Sequence, residues 1–437
     1  MFCGVVLPLL LIVVAGLSAG AVAYGTHPGW MLYPHGLEII LWSRRLEWLL
    51  VAVAIVGCVL LIAMALSGLR RAWWLFGLAP VLLLFGHRFS PHQATRWSIV
   101  ENPAFVAPES ASLSDSDWVV GLTFGDAAYA CSYASLYSNP VVFLADHERR
   151  AMLMWSPFAN RALAVQIARE LKGHDLEVVG MPANALLLYN SRKGQFINGF
   201  TGQTPGHEKP AGFAGDLPIP TFKMPWKDWR ALHPQCKVLG VLPANGSAAP
   251  AVPIQPSFPM PPMTLDRPAS TLVALAGAFQ PIAFEAARLT AAPMNSKIDG
   301  VPVGFWRESP ESPVRAFHRE LFDNGKLDLI LQFVPNFNHR KHPTAFLVDV
   351  SSNTGWSADG ACIDAPADVK RYKGRRLDPA GVDDAIAWGV AKFWYPQLQL
   401  DIPPAAPIAV EAASDNGDGS SHSAHRRARK PRLPKGQ

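Results

Sequence analysis

The stretch Trp118-Val119-Val120-Gly121-Leu122 marks an abrupt change in this 437-residue chain. A polar segment rich in serine and proline precedes it, and its own run of apolar, strand-forming residues predicts a buried β-strand. A second apolar strand, also followed by a segment of small residues, begins at Leu272. We therefore expect two folded regions that begin in the same way.

Two further features recur in both regions in the same order. Each region has a later strand that leads into a polar turn containing glycine, at 186–194 and at 346–356. Each also ends with a tryptophan eight residues before a proline: Trp226 with Pro234, and Trp388 with Pro396. Such repetition is typical of a duplicated module. The sequence predicts an α+β fold, with a β-rich soluble part in two pseudo-repeated halves, preceded by two or three transmembrane helices.

Three apolar runs near the N-terminus support the membrane prediction. The run 5–24 has 20 uncharged residues, 49–69 has 21, and 72–86 has only 15, with Pro80 inside it. At about 1.5 Å per residue, the first two are long enough to cross the roughly 30 Å core of a bilayer. We predict two spanning helices and treat the short third run as a further candidate.

The first run also has features of a cleaved signal peptide. Ala21-Val22-Ala23 provides the small residues of a cleavage site, but the start Met1-Phe2-Cys3-Gly4 lacks the positive charges that precede such signals. We therefore favour an uncleaved helix and keep cleavage as the alternative.

The orientation in the membrane depends on how the arginines are distributed. If all three runs span, the arginines near them divide into Arg70 and Arg71 on one side and Arg44, Arg45, Arg88 and Arg96 on the other. Positive charge favours the cytoplasmic side, so four against two favours a cytoplasmic soluble part.

The net charge of +5 comes from the last twelve residues. They contain six basic residues and no acid: Arg426, Arg427, Arg429, Lys430, Arg432 and Lys435. Without them the charge is 5 − 6 = −1, which excludes a basic surface for specific nucleic-acid binding from the rest of the chain. We expect a disordered basic tail that contacts an anionic surface, and a lipid bilayer as the main partner. The sequence leaves the oligomeric state open.

These features divide the chain into six segments. They are a transmembrane region 1–86, a tether 87–117, a first β-rich half 118–240, a proline-rich linker 241–271, a second β-rich half 272–400 and a disordered tail 401–437. Eight prolines between 243 and 268 fix φ and remove backbone donors, so the linker is predicted to be extended.

Residues that often carry catalytic or metal chemistry are scattered. Cys131, Cys236 and Cys362 form no Cys-x-x-Cys pair, although one disulfide among them stays open. His339 and His342 are three apart, but the asparagine, proline and basic residues around them favour a solvated loop over a metal site. We predict no catalytic residue, no metal ligand and no cofactor.

Other polar residues are interpreted as structural. His147 and His207 lie alone in polar loops and are expected to be exposed. The neighbouring acids Asp383 and Asp384 have no evident partner in the sequence and are interpreted as helix or strand caps.

Several segments resemble the bacterial family called domain of unknown function 3179. In the first half these are 180–189, the turn Thr201-Gly202-Gln203 and the ending 226–234; in the second half they are the turn 353–357 and the ending Trp394-Tyr395-Pro396. The resemblance covers about 118–400. Family members are mostly exported, which implies an extracytoplasmic soluble part and opposes the arginine count.

The chain departs from the family at one site. Members usually have a Tyr-Cys-Pro-Leu-Cys-Gly segment, whereas this chain has Trp155-Ser156-Pro157-Phe158-Ala159-Asn160. Ser156 and Ala159 replace the two cysteines, so a thiolate metal site or a redox disulfide is excluded here. Asn184 and Tyr189 keep their family positions, and a turn-capping asparagine and a core tyrosine are the structural interpretation of the two.

The pocket candidates are therefore Trp155, Ser156, Asn160, Asn184 and Tyr189. We expect a bacterial inner-membrane protein of the envelope that binds a ligand or partner in the cleft between its halves without catalysis. The alternative is an enzyme or metal-handling protein whose site the sequence does not mark.

Overall fold

The computed structural model describes residues 3–67, 79–81, 83, 97–215, 218–240, 256–277, 281–290, 292–298, 300–336 and 342–401. Most of the third apolar run, the first part of the linker, His339 and the predicted disordered tail lie outside the described residues. The predictions made for them stay predictions.

Two long helices, α1 (Cys3–Tyr24) and α3 (Glu47–Leu66), pack together through small residues. The buried positions include Ala15, Ser18, Ala19 and Val22 on α1, and Ala54, Gly57, Cys58 and Leu61 on α3. Both sets have the i, i+3, i+4, i+7 spacing of one helix face. A Cβ on Gly57 would lie 2.9 Å from the Cβ of Ala15, so only a small residue fits there.

The remaining faces of α1 and α3 expose many large apolar side chains. Both helices are long and apolar enough to cross a membrane. This agrees with the two spanning helices that the sequence predicts, since a bilayer would cover those faces.

The connection between α1 and α3 packs on the β-rich part. It contains a 3-10 turn (Pro28–Leu32) and helix α2 (Gly36–Arg45). Met31 and Ile40 are buried in the same apolar cluster as Val179 and Leu187 of the first half. The membrane region and the first half therefore share a hydrophobic core at this point.

One nine-stranded sheet contains strands from both halves, in the order β2-β12-β4-β3-β11-β24-β13-β14-β25. The strands of the first half are β2 (Phe105–Val106), β3 (Trp118–Phe124), β4 (Ala127–Ser132), β11 (Thr221–Pro225) and β12 (Lys237–Leu239). Those of the second half are β13 (Leu272–Ala276), β14 (Ile282–Phe284), β24 (Val382–Ala387) and β25 (Leu400–Asp401).

The order of strands in this sheet is mirrored about its centre. Outward from the centre, β11-β3-β4-β12 corresponds to β24-β13-β14-β25. In each set the first two pairings are antiparallel and the third is parallel. The mirrored order confirms the predicted α+β, β-rich fold with two pseudo-repeated halves.

The repeated tryptophans begin equivalent helices. Helix α5 (Trp226–Leu232) follows β11 directly and helix α6 (Trp388–Trp394) follows β24. Trp226 and Trp388 are both buried. The first half also has a short helix α4 (Tyr133–Ser138), which the Ser132 side chain caps by accepting from the Ser135 amide.

Smaller sheets are formed by the chain outside the central sheet. In the first half they consist of β1 (Ile99–Val100), β5 (Val141–Asp146), β6 (Arg149–Ser156) and β7 (Arg161–Ile167), and of β8 (Leu176–Gly180), β9 (Leu187–Asn190) and β10 (Gln195–Asn198). In the second half β15 (Met294–Ile298), β16 (Val301–Trp306) and β17 (Arg315–His318) form one sheet. The strands β18 (Glu320–Asp323) and β19 (Lys326–Ile330) form another, and β20 (Phe333–Pro335), β21 (Leu347–Asp349), β22 (Thr354–Trp356) and β23 (Cys362–Asp364) form the last.

The segment predicted to be a tether contributes two strands. β1 pairs with β5, and β2 pairs with β12 at the edge of the central sheet. Residues 97–117 are thus part of the folded region, and Pro103 and Pro108 between and after these strands keep them short and peripheral. The described part of the linker is also packed, since the ring of Phe258 lies 4.9 Å from that of Phe158.

Candidate functional site

Buried ionisable side chains meet where the two halves join. Arg161 lies on β7, Lys223 on β11 and Asp383 on β24, and their side chains are 4%, 1% and 2% exposed. Arg161 Nη1 lies 2.7 Å from Asp383 Oδ2, and Lys223 Nζ lies 3.4 Å from Asp383 Oδ1. A buried charge that has lost its partner destabilises a fold, and here one carboxylate is the shared partner of two cations.

Backbone oxygens complete the environment of both cations. Lys223 Nζ donates to the carbonyl oxygens of Asn160 and Asp384, the latter at 2.7 Å. Arg161 Nη2 donates to the Gly277 carbonyl at 2.8 Å. We call Arg161, Lys223, Asp383 and Asp384 the charge cluster.

A β-bulge allows two consecutive acids to enter this cluster. Neighbouring residues of a regular strand point to opposite faces, yet Asp383 and Asp384 are both buried. Opposite them the register shifts between Val273 and Leu275, so that β24 has one extra residue. Ala385 in the bulge has a left-handed φ of 56°, which costs an alanine of order 1 kcal/mol.

The interpretation of Asp383 and Asp384 as caps was therefore wrong. Asp384 Oδ1 does accept from the Ala385 amide at 2.7 Å, but Asp384 Oδ2 also lies 3.4 Å from Arg307 Nη2. Their cationic partners lie far away in sequence, where spacing carries no information about contact.

Burial shifts the pKa values of groups in and around the cluster. It lowers the pKa of Lys223, an effect that Asp383 opposes. It raises the pKa of Tyr133 well above its usual value, with Asp383 adding to the shift, and it raises the pKa of Tyr395 to about 12, against the influence of Arg161. Both tyrosines are therefore neutral hydrogen-bonding groups at physiological pH.

A cavity of about 210 Å³ lies between the halves, beside the cluster. The segments 161–163 and 218–221 line one side, and 380–383 with residues of β15 to β17 line the other. Arg161 and Asp383 form its polar end, whereas prolines and aliphatic side chains form most of its wall. Val301 at its edge is exposed, so the cavity reaches the surface there.

Three of the predicted pocket residues lie close to the cluster. Trp155, Ser156 and Asn160 are all buried at the turn between β6 and β7. Asn160 belongs to the environment of the cluster, because its Oδ1 accepts from the Tyr133 hydroxyl at 3.0 Å and its Nδ2 donates to the Asp384 carbonyl at 3.4 Å. The ring of Trp155 packs 4.7 Å from that of Tyr133.

Ser156 has a structural contact. Its Oγ accepts from the Leu186 amide at 2.9 Å, which ties the turn after β6 to the chain before β9. Ala159, at the other position where the family has cysteine, is also buried.

The structure places Asn184 and Tyr189 apart from the cluster. Asn184 has a left-handed φ of 65° and binds the linker, since its Oδ1 accepts from the amides of Ser257 and Phe258, both at 2.8 Å. Tyr189 is half-buried on β9 with the guanidinium of Arg44 5.2 Å from its ring centre. These two residues connect other segments to the first half.

Sequence reasoning missed Arg161, Lys223 and the role of the two acids. The sequence does place a charged residue within each of two strand-forming runs. Arg161 begins the apolar run of β7, and Lys223 interrupts the short strand β11. Charged residues inside strand-forming apolar runs are rarely buried unless paired.

The described histidines and cysteines offer no alternative site. In the part of the chain that the structure describes, no group of three potential ligands is placed to hold a metal. Cys131, Cys236 and Cys362 are free and buried, so no disulfide joins them, and burial raises the pKa of Cys131 to about 12. His342 is buried with its Nδ1 2.8 Å from Asp364 Oδ2, which corrects the prediction that it lies in a solvated loop.

The charge cluster predicts a large effect of a small change. Asp383→Asn keeps the side-chain volume but leaves two buried cations without their shared carboxylate, and should lower the free energy of unfolding by about 3 kcal/mol. The matched control is Asp115→Asn, whose ion pair with Arg230 is exposed on both sides (69% and 49%), and which should cost less than about 1 kcal/mol. Thermal unfolding of the full chain in detergent, followed by near-ultraviolet circular dichroism, measures both. If Asp383→Asn and Asp115→Asn lowered the free energy of unfolding equally, this would contradict the pairing of Asp383 with the two buried cations.

The raised pKa of Tyr395 predicts a pH dependence. Between pH 10 and about 12 the tyrosine is ionised in the unfolded chain but still protonated in the folded one. Stability should therefore fall by about 1.4 kcal/mol per pH unit from this group. Lys223 does not oppose this above its unfolded pKa of 10.5. Tyr395→Phe should make the loss of stability above pH 10.5 shallower, and an unchanged slope would show that Tyr395 ionises freely.

Comparison with known proteins places this arrangement in a family. Residues 98–397 match the model of a family described as Protein of unknown function (DUF3179), and this range includes the charge cluster and the cavity. Searches of curated proteins and of solved structures found no match. Because the matched residues make up more than half of the chain, this protein belongs to the DUF3179 family.

Proposed function

We propose that this protein is a membrane-anchored binding protein that holds a small apolar carboxylate in the cavity between its halves, without changing it chemically. The observation that carries this proposal is the position of Arg161, a buried cation at the polar end of a mostly apolar cavity. An apolar pocket with a few convergent polar groups is the usual form of a small-molecule site.

The balance of charge favours an anionic ligand. Three cations, Arg161, Lys223 and Arg307, lie with two carboxylates, Asp383 and Asp384, within one set of ion pairs. The Arg161 guanidinium is permanently charged, and burying it is costly unless anionic groups surround it. A ligand carboxylate near Arg161 would neutralise it through a charge-assisted hydrogen bond.

The state of the potential nucleophiles supports binding rather than catalysis. Lys223 Nζ is surrounded by three oxygen atoms. The Ser156 hydroxyl oxygen accepts a hydrogen bond from the backbone amide of Leu186. Burial raises the pKa of the Cys131 and Cys362 thiols to about 12 and about 11, which keeps them protonated and unreactive.

The contacts of the connection between α1 and α3 support a specific topology. Because Met31 and Ile40 share a core with the first half, the connection and the β-rich part lie on one side of the bilayer. Helix α3 then leads to the other side, so the chain has to cross back between Leu66 and Trp97. The third apolar run of the sequence, 72–86, lies mostly outside the described residues and is the sequence candidate for that crossing. From the family resemblance, we propose that the β-rich part lies outside the inner membrane.

Reporter fusions test this topology. Alkaline phosphatase is active only outside the cytoplasm, so a fusion after Ser110 should be active and a fusion after Ser67 should be silent. The same result at both positions would refute a third crossing. The reverse pattern would keep the crossing but place the β-rich part in the cytoplasm.

The cavity proposal is tested with two probes of the same size. Benzoate should raise the unfolding temperature of the full chain by mass action, whereas benzyl alcohol, which lacks the charge, should not. Val301→Trp should remove the effect of benzoate by filling the edge of the cavity. Val350→Trp is the matched control, because Val350 is exposed and does not line the cavity. Equal stabilisation by both probes, or an undiminished effect in Val301→Trp, would contradict the proposal.

A further inference from the structure

A second cavity lies between the membrane region and the first half. Its volume is about 350 Å³, and helix α2 forms one wall while residues 195–208 form the other. Helix α2 ends at Arg45, and α3, a candidate span, begins at Glu47. The cavity is therefore located where the protein would enter the bilayer.

Exposed aromatic side chains lie at the ends of α1 and α3 that adjoin this cavity. Trp42 of α2 is 56% exposed and Trp48, in the first turn of α3, is 84% exposed. Tyr24 at the end of α1 is also exposed. Tryptophan and tyrosine concentrate at the height of lipid headgroups, where their rings are buried and their polar atoms are hydrated. The second cavity thus lies at headgroup height.

The charges around this cavity have opposite signs. Arg45 lies 5.8 Å from the ring centre of Trp42 and has no ion pair with any described residue. Glu208 likewise has no ion pair with a described residue, and its backbone amide donates to Thr204 Oγ1 at 3.1 Å. Glu38 lies on α2, across the cavity from Glu208, and one of its carboxylate oxygens is hydrogen-bonded to His35. One cation and two carboxylates thus lie around a cavity whose wall also contains the apolar side chains of Leu41, Trp42 and Phe196.

We propose that this cavity binds the phosphoethanolamine headgroup of a membrane phospholipid, with the phosphate on Arg45 and the ammonium between Glu38 and Glu208. A primary ammonium has three N–H donors for carboxylate oxygens, whereas the trimethylammonium of choline has none. A glycerol headgroup brings the phosphate but no cation for the two acids. The proposal rests on membrane anchoring, but not on the ligand of the cavity between the halves.

Native mass spectrometry tests the assignment. The full chain is released from nanodiscs that contain equal amounts of phosphatidylethanolamine, phosphatidylcholine and phosphatidylglycerol, all with identical acyl chains. One phosphatidylethanolamine should be retained with a preference of about tenfold over each other lipid. Arg45→Gln and Glu208→Gln should each reduce this preference severalfold. Glu148→Gln, on an exposed turn at the start of β6, is the matched control and should retain it.

Equal retention of the three lipids, or an unchanged preference in Glu208→Gln, would overturn the proposal. Soluble phosphoethanolamine added to the protein in phosphatidylcholine nanodiscs distinguishes the source of the headgroup. If soluble phosphoethanolamine binds saturably in these nanodiscs and Glu208→Gln abolishes this binding, the cavity is a site for a free solute. That result would overturn the proposal of a lipid ligand. Recovery of the chain in nanodiscs tests membrane anchoring, whichever lipid is retained. The benzoate experiment tests the cavity between the halves, so failure of one proposal is distinguishable from failure of the other.

Discussion

The ion pairs of Asp383 with Arg161 and Lys223 hold the two halves together at the centre of the molecule. The backbone contributes little there, because β11 and β24 are paired only at Phe222 and Val382. The residues that follow these two, Lys223 and Asp383, carry the opposite charges. Arg161 reaches the same carboxylate from β7, which is bridged through Ala164 to Ile219 in the segment just before β11. The charge cluster thus joins three strands that share almost no backbone ladder.

The symmetry of the sheet explains why this cluster lies at its centre. A mirrored strand order with a parallel central pair requires a pseudo-twofold axis that runs along the strands between β11 and β24. Equivalent positions of the two halves meet at this axis. Identical charges at such positions would repel each other, but β11 carries a lysine and β24 carries two acids. The two halves thus differ in charge at the axis, and the interaction there is attractive.

Local features of the fold were accessible from the sequence because they depend on neighbouring residues. The repeated tryptophans that begin α5 and α6 were visible as a pattern. Long-range features were not accessible: the partner of Arg161 is 222 residues away, and the bulge at Ala385 has no glycine to announce it. The candidate site depends on both, which is why only Asn160 and its neighbours were anticipated near it.

The chemistry of the charge cluster connects the fold to the proposed function. Apolar residues of similar volume commonly replace a buried ion pair without loss of stability, and often with a gain. Within the same sheet, β13 and β14 pair through Ala274 with Phe284 and Leu275 with Ala283, with no buried charge on either strand. Holding the halves together thus does not by itself require Arg161 and Asp383. The proposed function does require them, because a carboxylate ligand in this cavity would need a charge that is already desolvated and held in place. In the proposed function the cluster serves to bind the ligand, and its contribution to joining the halves follows from where the cavity lies.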